Sequence, residues 1–405
     1  MRVSLVLPVS LETPSGLRYA AMAKALAQRG HFVTVLALHH NLQPTTVRHQ
    51  KIDGYQVHYL GQMHVRKVGS DKHYFSAPAL LRVALVSTWR LAVAALRRPC
   101  DLIHLGKAQP VNGMGGLTAA RLRGRPLFLD CDDLEAESNR FSGRWQKRVV
   151  QQVEDRLPRF ARGLTTNTRF MERRLLGLGV RPEQIAYVPN GIDHDRFAPP
   201  AVGQLGALRR LWNLPESPVV GYVGTLSLTN HSVDLLLEAF ALLHTRHPEA
   251  VLLAVGGGED MGALVQTASA MGIEDAVRFA GRVDPDKVSA CYALCQLTVD
   301  PVRDDLVARS RSPLKVVESL AAGTPVVTGD VGDRREMLSD GKAGLLVPPG
   351  DARALAEGME DLLFDTGKRQ ALAREAAAAC EPFQWRKLVE RVEALYRRCL
   401  GPTFS

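Results

Sequence analysis

The chain has 405 residues, 46% of them hydrophobic, and a formal net charge of +9; it is too long for one ordinary core, and its composition is that of a globular protein built from two domains. The charge is uneven, because residues 1–190 hold 28 Lys+Arg against 13 Asp+Glu and leave 23 against 29 for the rest. A first half at +15 ahead of a second half at −6 calls for an anionic partner such as membrane phospholipid, a lipid diphosphate carrier or an acidic glycan, while the lack of a zinc finger, an RNP motif or a continuous basic block excludes nucleic acid.

The opening Met1-Arg2-Val3-Ser4-Leu5-Val6-Leu7-Pro8 reads as a short strand that meets a turn at once. It lacks the apolar length and cleavage site of a signal peptide, so a cytoplasmic protein is expected. A turn around Gly16, a helical run from Tyr19 to Gln28 closed by Gly30, and a strand from His31 to Leu38 make a βαβ unit. Gly16 lacks the full G-x-G-x-x-G pattern; it serves either a close ligand approach or a plain loop. Ile52 to Leu60 reads as one strand. Leu80 to Leu96 reads as a helix with Arg82, Arg90, Arg97 and Arg98 beside Trp89, too interrupted by arginine to span a bilayer. It either packs in the domain or lies on a membrane surface.

Two buried strands follow, Asp101 to Leu105 and Pro126 to Asp130, and the second ends in Asp130, Asp132, Asp133, Glu135 and Glu137. Carboxylates gathered at a strand end are costly unless paired, solvated or used; a metal site and a helix cap with a solvated face both fit. The turn at Asn190-Gly191 and the prolines Pro199-Pro200 mark a linker. Strands then alternate with helices: Pro218 to Gly224, Val251 to Val255 before Gly256-Gly257-Gly258, Val277 to Gly281, Leu297 to Pro301 and Pro325 to Thr328, with a helix at 234–243. This alternation predicts α/β architecture with parallel sheets covered on both faces. Trp385, Leu388, Val392, Leu395 and Tyr396 recur at helical spacing in a last, anchoring helix. The six cysteines are spread without a metal-ligand pattern and read as reduced, buried thiols.

The stretch Ser312-Pro313-Leu314-Lys315-Val316-Val317-Glu318 carries most of the chemistry. Ser312 suits an N-cap, Pro313 the first helical position and Gly323 the stop, which predicts a helix from Pro313 to Ala322. Its terminal N–H groups, its dipole and the Lys315 ammonium favour a phosphate, and Glu318, one turn on, suits two ribose hydroxyls.

Taken together, the Gly16 loop, Arg29 to Val33, Val188 to Asp193 with Phe197, Val223-Gly224, Gly256 to Gly258, Phe279 to Gly281, Glu318 to Val327, Gly341 to Asp351 and Phe383 to Trp385 resemble the GT-B glycosyltransferases of the retaining family 4 group, over nearly the whole chain. The resemblance implies two Rossmann-like domains facing across a cleft: residues 1–190 for the acceptor, 191–380 for the nucleotide-sugar, and 381–405 as a helix returning to the first domain. It implies donor contacts from Gly16, Gly224, Thr225, the Gly281-Arg282-Val283 backbone, Leu314, Lys315 and Glu318.

Three departures stand out. The first Glu of the family's E-x7-E pattern falls at Ser310, the Arg and Lys that clamp the diphosphate fall at Thr225 and about His231, and the acceptor-domain His falls at Asp132. A subgroup with S-P-L-K before its Glu shares the first departure. A leaving diphosphate still needs cations, so Lys315 with Arg309 or Arg311 is expected to replace the clamp, with Asp132 positioning acceptor or sugar. The expected activity is retaining, metal-independent glycosyl transfer, without cofactor, from a nucleotide-sugar to a lipid-linked or polysaccharide acceptor at the inner membrane face. A nucleotide-sugar epimerase and a binding protein that has lost catalysis are the competing readings.

Overall fold

A computed structural model describes residues 1–43, 46–68, 71–141, 143–193, 197–198, 200–216 and 218–401. Pro199, part of the expected linker, and the last four residues of the expected 381–405 segment lie outside the described residues. The chain divides into two compact units: residues 1–189 with Ser310–Ser312 and the chain from Trp385 onward, and Asn190–Arg309 with Pro313–Gln384.

Among the described residues the first unit is built on ten strands: β1 (Arg2–Leu7), β2 (Phe32–His39), β3 (His49–Ile52), β4 (Tyr55–Gln62), β5 (Val65–Val68), β6 (Asp71–Tyr74), β7 (Leu102–Gly106), β8 (Leu127–Cys131), β9 (Gly163–Thr166) and β10 (Ile185–Tyr187). Eight of them form one sheet in the order β10-β9-β8-β7-β1-β2-β4-β3, and β5 and β6 pair separately as a hairpin. Strands β7, β8 and β9 are buried at every residue, as a parallel sheet covered on both faces requires. Helix Pro14–Gln28 starts earlier than the sequence predicts, because Thr13 caps it by accepting the Gly16 N–H at 3.1 Å.

The expected single strand from Ile52 to Leu60 is two strands. Asp53 and Gly54, at φ 45° and 88°, reverse the chain, and Ile52 closes β3, which runs antiparallel to β4. Asp-Gly is the favoured pair for a two-residue hairpin turn with both φ values positive, so the turn chemistry was present in the sequence and outranked the apolar pattern.

The last helix, Trp385–Leu400, buries Trp385, Leu388, Val389, Val392, Leu395 and Tyr396 in the first unit's core. The Tyr396 hydroxyl lies 2.6 Å from His104 Nδ1, and Glu393 bonds Arg29 Nε and His31 Nε2 at 2.8 Å each.

The second unit holds β11 (Val219–Val223), β12 (Val251–Val255), β13 (Val277–Gly281), β14 (Leu297–Asp300), β15 (Val326–Gly329) and β16 (Leu345–Val347) in one parallel sheet, ordered β13-β12-β11-β14-β15-β16. Strand order reverses between β11 and β14. The crevice outside the carboxyl ends of those strands is where open α/β sheets bind ligands. All six cysteines are free, and five are buried.

Candidate functional site

The residues at that reversal come from three segments. Gly224 follows β11, Asp300 ends β14, and helix Leu314–Ala322 begins just beyond. The helix starts one residue later than predicted, with Pro313 in the flanking position at φ −75° and ψ 102° and no side-chain cap, so Ser312 stands one residue outside the capping position. Gly323 stops the helix in the left-handed region at φ 67°.

Lys315 is a held cation. Its ammonium sits 3.2 Å from Asp300 Oδ1 and 4.7 Å from the centre of the Tyr222 ring, with its side chain 12% exposed. The other Asp300 oxygen accepts from Arg334 Nε at 2.7 Å and from the Thr328 hydroxyl at 3.0 Å. Burial alone would raise the Asp300 carboxyl, but Arg334 and then Lys315 outweigh it and hold the group well below the usual carboxylate range. Two cations on one carboxylate leave a formal charge of +1.

Glu318 is also held, since the buried Tyr292 hydroxyl donates to its Oε2 at 2.9 Å. Gly224 gives Lys315 room, because a Cβ there would lie 3.2 Å from Lys315 Cε. The Gly256–Gly258 loop lies flat against the loop after β11: a Cβ at Gly256 would come 1.8 Å from the Gly224 oxygen, and one at Gly258 1.8 Å from the Leu226 oxygen. These glycines serve close backbone packing. Thr225 contributes its carbonyl to the Tyr222 hydroxyl at 2.7 Å.

The structure therefore brings Gly224, Thr225, Leu314, Lys315 and Glu318 to one strand-end crevice. Arg282 is exposed and Val283 half-buried beyond β13, where Gly281 turns the chain at φ 70°. Arg309 is engaged elsewhere, in a two-bond pair with Asp304 at 2.6 and 2.8 Å. Ser310 and Arg311 fall in the segment that groups with the first unit, where the Ser310 carbonyl lies 3.5 Å from the Thr168 hydroxyl. The second cation on Asp300 is Arg334, which the sequence reading did not single out; its place in Asp333-Arg334-Arg335-Glu336, soon after β15, was the available signal. Asp300 and Tyr292 were missed as well.

In the first unit the acidic cluster after β8 is divided: Glu137 is exposed and pairs with Lys147 at 2.7 Å, whereas Asp132 and Glu135 are buried and neither caps the following helix. Lys107 Nζ lies 3.0 Å from Asp132, 3.6 Å from Asp133 and 2.6 Å from Glu135. The three carboxylates lie close enough to share a metal ion, and the cation they share is this ammonium. Lys107 reaches them from a left-handed backbone at φ 67°, pinned by the Asn112 amide, which donates to the Gly106 and Lys107 carbonyls at 2.7 and 3.1 Å. The short helix Glu135–Ser138 is capped instead by Glu154, which accepts from the Glu135 and Ala136 amides at 2.6 and 3.0 Å.

Burial, with Asp133, Glu135 and Asp130 adding to it, pushes the Asp132 carboxyl up to about 7 despite Lys107. Beside it, Arg18 forms a buried two-bond pair with Asp130 at 2.8 and 2.9 Å and donates to the Val188 and Pro189 carbonyls. Gly16 has an internal reason to be glycine, because a Cβ would come 2.0 Å from the Ser10 oxygen.

Known proteins resemble the chain over most of its length. The family model described as "Glycosyl transferases group 1" matches residues 217–365, and "Glycosyl transferase 4-like domain" matches residues 16–191. A D-inositol 3-phosphate glycosyltransferase of Acidothermus cellulolyticus is 33% identical over 329 residues, 77% of this chain and 70% of that protein. A GDP-mannose-dependent alpha-(1-6)-phosphatidylinositol monomannoside mannosyltransferase of Mycolicibacterium smegmatis is 31% identical over 216 residues, 52% of this chain and 56% of that protein. The structure of sucrose-phosphate synthase from Thermosynechococcus elongatus superposes with a TM-score of 0.77 at 19% identity, covering 99% of each chain, a likeness of fold.

Proposed function

The chain belongs to the group 1 glycosyl transferases, and from that premise we propose that it moves a sugar from a nucleotide-sugar donor to a lipid-linked or polysaccharide acceptor, with retention at the anomeric carbon and without a metal, at the cytoplasmic face of a membrane. The observation that carries the reading is the Lys315 ammonium at the start of helix Leu314–Ala322, at the strand-order reversal, with Glu318 one turn on.

In this reading Lys315 and the Leu314 and Lys315 amides take the diphosphate, and Glu318, oriented by Tyr292, accepts from ribose hydroxyls. The Gly281–Val283 backbone meets the base, and Gly224 lets the diphosphate approach. The bond from the anomeric carbon to the diphosphate oxygen breaks as the acceptor oxygen bonds to that carbon from the same face. The hydroxyl proton passes to the departing phosphate oxygen, giving a glycoside and a nucleoside diphosphate. Lys315 stabilises charge that grows as that bond breaks. Asp132, largely protonated below neutrality, orients acceptor or sugar.

The relatives named for an inositol phosphate and for a phosphatidylinositol mannoside support a phosphate-bearing, lipid-linked acceptor, and the basic balance of residues 1–190 supports the membrane face. The test is a panel of UDP-, GDP- and ADP-sugars, GDP-mannose included, scored for nucleoside diphosphate release, with the product anomer read by NMR. Release with one donor and a retained anomer is expected. Thermal stabilisation by a donor that never turns over, with lipid acceptors present, would leave a binding protein.

A further inference from the structure

We propose that helix Ala77–Arg97 and the adjoining ends of β3 and β4 form a docking surface for a bilayer containing anionic phospholipid, with an arginine-lined groove that takes a lipid phosphate. The inference deepens the membrane-face reading above and rests on it.

Four arginines, Arg48, Arg90, Arg97 and Arg98, line one groove together with His58 and Trp89, and among the described residues no carboxylate lines it. Uncompensated guanidinium groups repel one another, and a phosphate relieves that repulsion with two-bond geometry. His58 adds an independent sign. It is 5% exposed, and Arg98 Nη2 lies 3.0 Å from its Nδ1, so Nδ1 is the acceptor and the proton sits on Nε2. That Nε2 is buried and, among the described residues, lacks a hydrogen-bond partner. Burial, Arg98 and His49 push the ring down to about 4, which keeps it neutral at physiological pH. A buried N–H donor left over on a residue that lines the same groove as four arginines suits an anion.

The helix extends the groove into an apolar stripe. Leu81, Leu85 and Trp89, spaced four apart, are 59%, 63% and 64% exposed. By length and composition the helix could cross a bilayer, yet its opposite side, Ser87, Leu91, Ala94 and Ala95, is sealed into the first unit. Gly115 lets helix Pro110–Arg123 approach so closely that a Cβ there would lie 2.9 Å from the Thr88 carbonyl. A helix fixed along one side, with leucine and tryptophan outward and arginine along its flank, lies in the headgroup plane. A soluble acidic glycan would satisfy the arginines and leave the stripe in water, so the bilayer is the occupant that uses both.

The test is co-sedimentation of the full chain with phosphatidylcholine vesicles, with and without phosphatidylglycerol. Binding should require the anionic lipid, weaken as salt shortens the screening length, and fall at least about tenfold in Arg48→Ala/Arg97→Ala, since each basic residue near such a surface contributes on the order of 1 kcal/mol. Trp89→Ser should also reduce binding, and brominated lipid should quench Trp89 fluorescence. No binding to anionic vesicles at low salt, or wild-type binding by the arginine pair variant, overturns the proposal. So does dextran sulfate binding that Trp89→Ser leaves intact while vesicles fail. Nucleoside diphosphate release, measured on the same preparations, separates the two readings: lost vesicle binding with release intact sinks the docking surface alone, and vesicle binding without release upholds it while the transferase reading falls.

Discussion

The two units each gather buried charge at the carboxyl ends of their strands, and the balances are opposite. In the first unit three carboxylates surround Lys107, a formal excess of two negative charges, and burial, with the neighbouring carboxylates adding to it, lifts the Asp132 carboxyl to about 7. In the second, Lys315 and Arg334 share Asp300, an excess of one positive charge, and the carboxyl is driven far down. The halves of the sequence carry the reverse signs, +15 and −6. Summed charge thus describes the outer surface of a unit, while the local charge at its strand ends is set by a few buried pairs.

The sharpest way to break this comparison is Lys107→Met, which strands Asp132 and Glu135 without a counterion and should cost about 3–5 kcal/mol in urea unfolding. Adding Asp132→Asn should recover part of the loss, whereas additive costs would mean that the groups do not interact. Lys315→Met should leave stability closer to wild type, because Asp300 keeps Arg334, yet lower donor turnover at least about a hundredfold; unchanged turnover would remove Lys315 from the site.

Asp132→Asn alone tests the raised carboxyl. A folded chain that holds a proton which the unfolded chain releases is most stable, from this group, below the window from about 4 to 7, and it loses that contribution as pH rises through it. His58 and His104, both pushed down to about 4, have the opposite slope over part of that range. The quantity to measure is therefore wild-type minus variant stability, which should fall by at least about 1.4 kcal/mol between roughly pH 5 and 8.

Tyr292→Phe removes one hydrogen bond to Glu318 and should raise KM for the donor severalfold, about 1 kcal/mol, with kcat nearly kept. Arg309→Ala, whose side chain pairs with Asp304 on the surface, should change turnover by less than about twofold.

Strands β12 and β13 begin and end where the apolar runs of the sequence do, and Lys315 and Glu318 were legible because helix signals and their spacing are local. The partners that hold them were not. Arg334 lies 34 residues from Asp300, and Lys107 lies 25 from Asp132; each pair meets only because neighbouring parallel strands end side by side. The same limit explains the acidic cluster, whose counterion and whose capping group, Glu154, both come from other elements. Where the reading of a local signal failed, at Asp53-Gly54, a competing pattern of apolar residues masked a turn that the dipeptide itself announced.

Helix Trp385–Leu400 belongs to the core of a unit whose described strands all precede Asn190. On the ribosome the first unit emerges with the surface under Leu388, Val392 and Tyr396 open, and it waits for the whole second unit to be synthesised before that surface closes. The usual order of domain-by-domain folding from the amino terminus is thereby altered: the unit whose strands are made first cannot close its core until residues 388–396 have been made.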